Sequence, residues 1–375
     1  MSAQNNVMKA RELGQSIWLD SISRNMLRSG ELQRLAHLGI SGVTSNPSIF
    51  EKAIAESDIY DDALVGYAAG RAGVETVFER LAVDDIRDAA DVLRPAYDKA
   101  GGKDGFVSIE VSPRLAYDTE GTITEARRLW AAVGRPNVMI KVPGTPEGVP
   151  AIRTLISDGI NVNVTLLFSI NAYRDAANAY IQGLRDFTAA GKGSPARIAS
   201  VASFFVSRVD TSVDKALGGG HELEGKAGIA NARVAYGEFK QLFDITLGPG
   251  NFHPLATTGA QVQRPLWAST SVKNPAFPDT MYVDELMGPQ TVNTLPAATL
   301  DALLDHGTSE NRLEARVTEA KSTMAAIAAA GVSIDEVTAD LLAAGVKAFS
   351  DSYDSLLGQI AEKLGKLAPA GGGED

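Results

Sequence analysis

Strand-like runs alternate with helix-like segments along nearly the whole chain, and this alternation restricts the fold more than any other feature. Runs rich in β-branched and aromatic residues predict strands at residues 16–21, 41–46, 105–111, 137–142, 160–166, 197–206, 266–273 and 290–295. Helical patterns lie between them, for example at residues 122–133, 150–157 and 171–190. Strands that alternate with helices in this way favour the α/β class and a closed (β/α)8 TIM barrel, with a doubly wound open sheet as the alternative.

Two stretches add helices to this pattern. Residues 51–100 look helical and are candidates to cap the barrel. Residues 309–364 predict two or three further helices, the last of them from Phe349 to Leu364. The glycine-rich tail, residues 368–375, is expected to be disordered. We therefore expect one barrel domain over residues 1–375, with helical additions.

Polar residues alternate with apolar ones on several predicted strands, although doubly buried parallel strands are expected to be apolar nearly throughout. In the third, fifth and seventh strands these polar positions are Ser108 and Glu110; Asn161, Asn163 and Thr165; and Ser269, Ser271 and Lys273. Because side chains alternate between faces, each set points to one side of its strand. A barrel lumen that becomes polar toward the strand C-termini, where barrel active sites lie, accounts for the pattern. An antiparallel sheet with a solvated face would give it too, but the intervening helices argue against one.

Lys141 lies inside the run Asn137-Val-Met-Ile-Lys-Val-Pro143, which otherwise predicts a fully buried strand. Removal from water disfavours the charged form of an amine and can lower a lysine pKa by several units from about 10.4. A neutral lysine attacks carbonyl groups and can form a Schiff base. The structural alternative is a lysine at the end of a strand that extends into solvent. The residues predicted to surround Lys141 favour the functional interpretation.

Two acidic residues belong to these surroundings. Asp20 closes the apolar run Ile17-Trp-Leu19, and Glu110 lies between Ile109 and Val111. A buried acid without a partner is costly, so each is either paired structurally or functional. Imine formation needs proton shuttles, which carboxylates on neighbouring strands can supply. One such acid alone would favour a structural role, but two acids and a buried lysine at the strand ends of one barrel favour catalysis.

Two cations follow strands that carry hydroxyl groups. Arg208 comes after the run 203–207, and Lys273 comes directly after the hydroxyl-bearing positions of the seventh strand. Arginine offers a planar fork and lysine a point charge to a phosphate group. Surface salt bridges are the alternative role for both. Their position after these strands favours anion binding.

Composition excludes several classes of protein. The chain has 375 residues, 45% hydrophobic and 22% charged, and a net charge of −11, which argues against nucleic acid or an anionic membrane as partner. Cysteine is absent, which excludes disulfides and a thiol nucleophile, and the four histidines are widely spaced, so no structural metal is expected. The sequence contains no apolar run of about 18 residues and no secretory signal, so we expect a cytoplasmic protein.

Five segments of the chain resemble sequence blocks of one enzyme family. They are Gly42-Val-Thr-Ser-Asn-Pro-Ser-Ile-Phe50, Val107-Ser-Ile-Glu-Val-Ser112, Val138-Met-Ile-Lys-Val-Pro-Gly-Thr-Pro-Glu-Gly148, Asn163-Val-Thr-Leu-Leu-Phe-Ser169 and Trp267-Ala-Ser-Thr-Ser-Val-Lys-Asn-Pro275. The first and third are similar to the two signatures of the transaldolases, in their longer bacterial form. The resemblance runs from about residue 10 to residue 360, and it implies a barrel of the class I aldolase type.

The resemblance also implies a role for each site residue. Lys141 would form the Schiff base, Asp20 would be the general acid/base for carbon–carbon cleavage, and Glu110 and Thr165 would hold a catalytic water. The implied substrate-binding residues are Thr44, Asn46, Asn163, Ser203 and Phe205 around the dihydroxyacetone unit, and Arg208, Ser271 and Lys273 around the phosphate. Shorter transaldolases carry arginine where Lys273 stands.

The implied reaction moves a dihydroxyacetone unit from sedoheptulose 7-phosphate to glyceraldehyde 3-phosphate, which yields erythrose 4-phosphate and fructose 6-phosphate in the non-oxidative pentose phosphate pathway. The implied partners are small sugar phosphates, the protein would be a monomer or homodimer, and no metal or organic cofactor is needed. A lyase on the same barrel that releases free dihydroxyacetone is the rival enzyme. A non-catalytic sugar-phosphate-binding barrel is the rival from another class.

Overall fold

The computed structural model describes residues 5–68, 72–244 and 252–367, so the tail predicted to be disordered, 368–375, lies outside the described residues. Parallel strands close into a barrel in chain order, and the last strand pairs with the first. The strands are β1 Gln15–Leu19, β2 Gly42–Val43, β3 Phe106–Glu110, β4 Val138–Pro143, β5 Val162–Leu167, β6 Ser200–Phe205, β7 Arg264–Ala268 and β8 Thr291–Leu295. The predicted (β/α)8 barrel is confirmed, and the open sheet is wrong.

Helices connect the strands and extend the chain beyond β8. They are α1 Asn6–Glu12, α2 Arg24–Arg28, α3 Glu31–Leu38, α4 Pro47–Ala55, α5 Asp61–Ala68, α6 Val74–Lys99, α7 Thr119–Val133, α8 Gly148–Ser157, α9 Ile170–Ala189, α10 Ser207–Leu217, α11 Ala227–Leu242, α12 His253–Ala256, α13 Met281–Glu285, α14 Ala297–Asp305, α15 Val317–Ala329 and α16 Ile334–Leu367. Short 3-10 turns cover Asp58–Tyr60, Pro113–Leu115, Pro195–Arg197 and Glu314–Arg316. No helix in the described part of the chain is long and apolar enough to cross a membrane.

The seventh strand ends earlier than the sequence predicts. It stops at Ala268 instead of residue 273, because Ser269 has a left-handed backbone (φ 55°) through which an extended strand cannot continue. The prediction that Ser269, Ser271 and Lys273 share one face of this strand is therefore wrong. The latter two side chains lie on the loop that follows β7.

The second strand is also shorter than predicted, since only Gly42–Val43 pairs with its neighbours. Gly42 lies directly against the indole of Trp18. A Cβ atom at position 42 would lie 2.3 Å from Cδ2 of Trp18, a separation that no real side chain tolerates. Glycine therefore allows β1 and β2 to approach each other at this point.

The two predicted helical additions meet each other in space. Within residues 51–100, α6 packs along β3, whereas α4 and α5 contact α16. The predicted helices of 309–364 are α15 and α16, and α16 includes the segment from Phe349 to Leu364. This last helix contacts the end of β5 near its start and α4 and α5 farther along, so it crosses the C-terminal mouth of the barrel.

The barrel lumen is polar toward the strand C-termini, as the alternating pattern predicts. The parallel register places Glu110 beside Lys141 and Lys141 beside Asn163, on three consecutive strands. One level of the lumen is joined by hydrogen bonds, because Asn163 donates to the Ser108 hydroxyl (3.0 Å) and accepts from the Ser203 hydroxyl (2.7 Å). The structure thus brings side chains from separate strands to one level of the barrel.

Candidate active site

A cavity of about 200 Å³ lies at the C-terminal mouth of the barrel. The predicted site residues that line it are Asp20, Thr44, Asn46, Lys141, Thr165, Ser203, Phe205, Arg208, Ser271 and Lys273. The two other predicted residues contact this lining, since Glu110 lies 3.4 Å from Nζ of Lys141 and Asn163 accepts from the Ser203 hydroxyl. Active sites of these barrels are built at this end of the strands, so the cavity is the candidate active site.

Lys141 is at the centre of the site and is removed from solvent. It lies on β4 and is 5% exposed, so the alternative of a lysine that extends into solvent is wrong. Its Nζ donates to the carbonyl oxygen of Ser45 at 2.9 Å and lies 3.4 Å from Oε2 of Glu110. These contacts hold the amine in one position, as a nucleophile in a binding cavity requires.

Asp20 follows β1 and faces the same cavity. Its Oδ1 accepts a hydrogen bond from the Thr44 hydroxyl at 2.6 Å, and the Thr44 and Thr294 hydroxyl oxygens are 2.7 Å apart. Burial raises the pKa of Asp20, while the Thr44 hydrogen bond and the charge of Lys141 lower it less strongly. A carboxyl group with a raised pKa can exchange protons closer to neutral pH, as a general acid/base must.

Glu110 lies behind Lys141, at the end of β3. Burial raises the pKa of its carboxyl group, and the nearby ammonium of Lys141 opposes part of that effect. Glu110 Oε2 and the Thr165 hydroxyl are both buried, and within the described residues neither makes a hydrogen bond, although Oε2 lies within ion-pair distance of Lys141 Nζ. Buried polar atoms that lack a hydrogen bond are costly, so both are suited to hold a water molecule. The predicted role of this pair stays a prediction.

Asn46 and Asn163 both make contacts inside the protein. The side chain of Asn46 caps α4, where its Oδ1 accepts from the backbone N–H of Ile49 at 3.0 Å. It lines the cavity as well, so the cap holds it in place there. Asn163 uses both atoms of its side-chain amide in hydrogen bonds with Ser108 and Ser203 and is not part of the cavity lining.

Two residues near the C-terminal ends of β5 and β7 have strained backbones. Leu166, directly after Thr165, and Ser269, directly after β7, both have left-handed φ angles (59° and 55°). The turn at Leu166 shifts the register between β5 and β6. Such strain costs on the order of 1–3 kcal/mol per residue and is concentrated at functional sites. Here it shifts the register of β5 and ends β7, next to residues that line the cavity.

The cationic end of the cavity is built from α10 and the loop after β7. Arg208 lies in the first turn of α10, with its guanidinium carbon 5.6 Å from the ring centre of Phe205. Among the described residues no carboxylate lies within ion-pair distance of Arg208, and burial lowers its pKa. Lys273 is exposed and donates to the Ser271 hydroxyl at 2.7 Å. A partly desolvated guanidinium without an internal counterion suits an incoming anion.

Asp210 is a supporting residue that sequence reasoning missed. It lies two positions after Arg208, is 2% exposed, and accepts from the backbone N–H of Gly228 at 2.7 Å. Its carboxylate also faces the hydroxyl of Tyr282, on the helix that follows the loop of Ser271. Asp210 thus ties α10 to α11 and α13. An acidic residue within a polar helix turn gives no local sign of such a role.

Asp210 is expected to make stability depend on pH. Burial raises its pKa to about 6, so the folded state binds the proton more tightly than the unfolded state. Protonation of Asp210 therefore adds to the free energy of unfolding. This contribution is fully present below about pH 4 and is lost as the pH rises through about 6. Between pH 4.5 and pH 7.5 the wild type should therefore lose about 2 kcal/mol of unfolding free energy through this group, and Asp210→Asn should not lose it, as measured by urea unfolding at the two pH values. Exposed Asp175→Asn is the control, and an equal loss in all three proteins would contradict the assignment.

The cavity also contains residues from elements that sequence reasoning did not connect with it. Thr294 and Pro296 come from the end of β8, and Phe349 comes from α16. Thr294 could have been found from its polar position near a strand end. Phe349 lies in an apolar helical pattern that predicts only core packing, so its sequence context carries no sign of the site.

Comparison with known proteins gives an independent result. Residues 17–360 match the family model described as Transaldolase/Fructose-6-phosphate aldolase. The chain is 51% identical to the transaldolase of Thiobacillus denitrificans, over 93% of this chain and 97% of that protein. It is 46% identical to the transaldolase of Trichodesmium erythraeum, over 97% of this chain and 99% of that one. The transaldolase of Mycobacterium bovis is 45% identical, over 98% of this chain and 100% of its own length.

The matched residues include the buried lysine, both acids and both cations of the site. The resemblance seen in the five sequence segments is therefore confirmed. This chain belongs to the transaldolase/fructose-6-phosphate aldolase family.

Proposed function

We propose that this chain is a transaldolase, which transfers a dihydroxyacetone unit from sedoheptulose 7-phosphate to glyceraldehyde 3-phosphate and yields erythrose 4-phosphate and fructose 6-phosphate. The observation that carries the proposal is the buried amine of Lys141, held beside Glu110 in a cavity that Asp20 also lines. Imine chemistry needs an amine nucleophile and groups that donate and accept protons, and a buried amine near two acids supplies both. The reaction belongs to the non-oxidative pentose phosphate pathway, and a cytoplasmic location stays a prediction.

The first step joins the ketose to Lys141. The ammonium of Lys141 first gives a proton to the Glu110 carboxylate. The neutral amine then adds to the C2 carbonyl and forms a carbinolamine, and loss of the hydroxyl as water gives the protonated imine. Glu110 lies 3.4 Å from Nζ, and its raised pKa allows it to be present as the acid that protonates the departing hydroxyl. Water held by Glu110 and Thr165 would carry this proton.

The second step breaks the bond between C3 and C4. Asp20 removes the proton from the C4 hydroxyl, the aldose phosphate leaves as an aldehyde, and the bonding electrons pass into the imine to form an enamine on Lys141. Thr44 orients the Asp20 carboxylate for this transfer through its 2.6 Å hydrogen bond. Addition of the enamine carbon to the acceptor aldehyde then reverses these steps, and hydrolysis of the new imine releases the product.

The cations at the cavity mouth support a phosphorylated substrate. Arg208 and Lys273 lie at the outer end of the cavity, and Lys141 lies at its inner end. The start of α10 lies at the same place, and the N-terminus of a helix attracts anions. A phosphate bound here would direct the sugar chain inward toward the amine.

Turnover of the purified protein tests the proposal. With fructose 6-phosphate as donor and erythrose 4-phosphate as acceptor, we expect sedoheptulose 7-phosphate and glyceraldehyde 3-phosphate in equal amounts. Rapid release of free dihydroxyacetone without an acceptor would instead identify the rival lyase. Binding of fructose 6-phosphate without any turnover would identify a non-catalytic sugar-phosphate-binding barrel.

Replacement of Arg208 by alanine should affect phosphorylated donors only. Loss of a charge-assisted contact with phosphate is expected to raise KM for fructose 6-phosphate about 10- to 100-fold. Turnover of unphosphorylated fructose, which makes no such contact, should hardly change. Steady-state kinetics with both donors measures the difference. Arg153→Ala, at an exposed ion pair with Asp186, is the control, and equal impairment with both donors would make Arg208 structural.

A further inference from the structure

The side chain of Phe349 lies over the reactive amine. It comes from α16, is 7% exposed, and lines the same cavity as Lys141. The centre of its ring is 5.7 Å from the Nζ atom of Lys141. A phenyl ring at this distance offers no hydrogen bond to a sugar, so its contribution is an apolar surface beside the amine.

Contacts on both sides of Phe349 hold α16 across the barrel mouth. On one side Gly345 allows the helix to lie against the end of β5, since a Cβ there would be 3.0 Å from Cδ2 of Leu166. On the other side the hydroxyls of Ser352 and Ser48 are 2.8 Å apart, although these residues are 304 positions apart in the chain. Phe349 lies between these two contacts and is therefore held in place.

Farther along, α16 is tied to the helix that Asn46 caps. Ser355 and Gln359 both donate to Oε1 of Glu51, at 2.5 and 2.8 Å. Lys363 forms an ion pair with Asp61 at 2.8 Å. The helix that carries Phe349 and the helix that begins at the cavity wall thus form one connected unit. Phe349 is thus anchored through both helices, whereas Lys273, which lines the same cavity, is exposed.

The proposed reaction creates a need for such a cover. After cleavage the three-carbon fragment remains on Lys141 as an enamine, which has two possible fates. Addition to the acceptor aldehyde forms a new carbon–carbon bond and completes transfer. Alternatively the enamine carbon takes a proton from solvent, water adds at C2 of the resulting imine, and the carbinolamine collapses to free dihydroxyacetone and the lysine amine. Only the second fate requires protonation of carbon.

We infer that Phe349 is a specificity-determining residue, which keeps bulk water away from the Lys141-bound enamine and so favours transfer over release of dihydroxyacetone. The inference rests on the proposed transaldolase function and adds to it the group that protects the intermediate. The water needed for normal turnover is formed inside the cavity during imine formation, so a cover over the mouth need not remove it. Exclusion of bulk water from an active site prevents hydrolysis of reactive intermediates in general.

The test compares transfer and release in the same protein. Phe349→Ala is incubated with fructose 6-phosphate in D2O, with and without erythrose 4-phosphate, and both sedoheptulose 7-phosphate and monodeuterated dihydroxyacetone are quantified by mass spectrometry. We expect the ratio of release to transfer to rise on the order of tenfold. Phe349→Leu, which keeps an apolar cover and most of the packing, should give a smaller rise.

Leu356→Ala is the matched control, since Leu356 is fully buried on the same helix and does not line the cavity. It should weaken the packing of α16 and leave the ratio unchanged. An unchanged ratio in soluble Phe349→Ala, or an equal rise in Leu356→Ala, would overturn the inference. If Phe349→Ala does not fold, an unchanged ratio of release to transfer in Phe349→Leu would overturn the inference instead. Assay of the wild type distinguishes failure of this inference from failure of the proposed function. If the wild type does not transfer the three-carbon unit, the proposed transaldolase function is refuted, whatever the variants do.

Discussion

Replacement of Lys141 by arginine is expected to abolish turnover, with a loss of at least about a thousandfold. Guanidinium stays protonated at all accessible pH values, so it cannot attack the ketose carbonyl. In the wild type, fructose 6-phosphate and borohydride together should inactivate the enzyme, because borohydride reduces the imine to a stable secondary amine. Mass spectrometry should find one sugar-derived mass per chain, and peptide mapping should place it on Lys141.

A control variant makes this result specific to one lysine. Lys347→Arg changes an exposed lysine of α16 that pairs with Asp351, and it should keep both activity and labelling. Lys141→Arg should show neither. A sugar adduct on another lysine, or normal turnover in Lys141→Arg, would defeat the proposed mechanism, because every other role is arranged around that amine.

Replacement of Asp20 by asparagine should allow imine formation but stop cleavage. The amide can still accept the hydrogen bond of Thr44, so the geometry survives, but it cannot take the proton of the C4 hydroxyl. We expect kcat to fall about 100- to 10,000-fold, the usual contribution of a general acid/base. Mass spectrometry after borohydride treatment should then show the intact six-carbon adduct on Lys141 instead of the three-carbon fragment.

The matched change at an exposed site is Asp91→Asn, which breaks a surface ion pair with Arg135. Surface pairs contribute little to stability, so this variant should behave like the wild type. Near-normal turnover in Asp20→Asn, or accumulation of the three-carbon fragment, would remove Asp20 from the cleavage step.

The fold was largely predictable because its signals are local. The strands of a barrel differ from its helices in hydrophobic period and in residue type, and both properties are readable within a short window. Strand ends were less predictable. The seventh strand continues in sequence pattern to residue 273 but ends at Ala268, since the backbone turns at Ser269. A serine in a left-handed conformation is held there by its surroundings and not by its own preference.

The barrel and the polar residues near its strand ends could be predicted from the sequence alone. The apolar run around Lys141 and the polar alternation in β3 and β5 follow from the two faces of a strand. Motif resemblance then assigned most of the cavity lining, and the structure brings those residues to one mouth.

The contacts around these residues are seen only in the tertiary structure. The contact of Glu110 with Lys141, the hydrogen bond from Gly228 of α11 to Asp210 of α10, and the position of Phe349 over the amine all join separate elements. The hydrophobic period of α16 shows which face of the helix is buried, but it does not show which element covers that face. Such contacts depend on how elements far apart in the chain pack together, and the local sequence pattern of either element does not identify its packing partner.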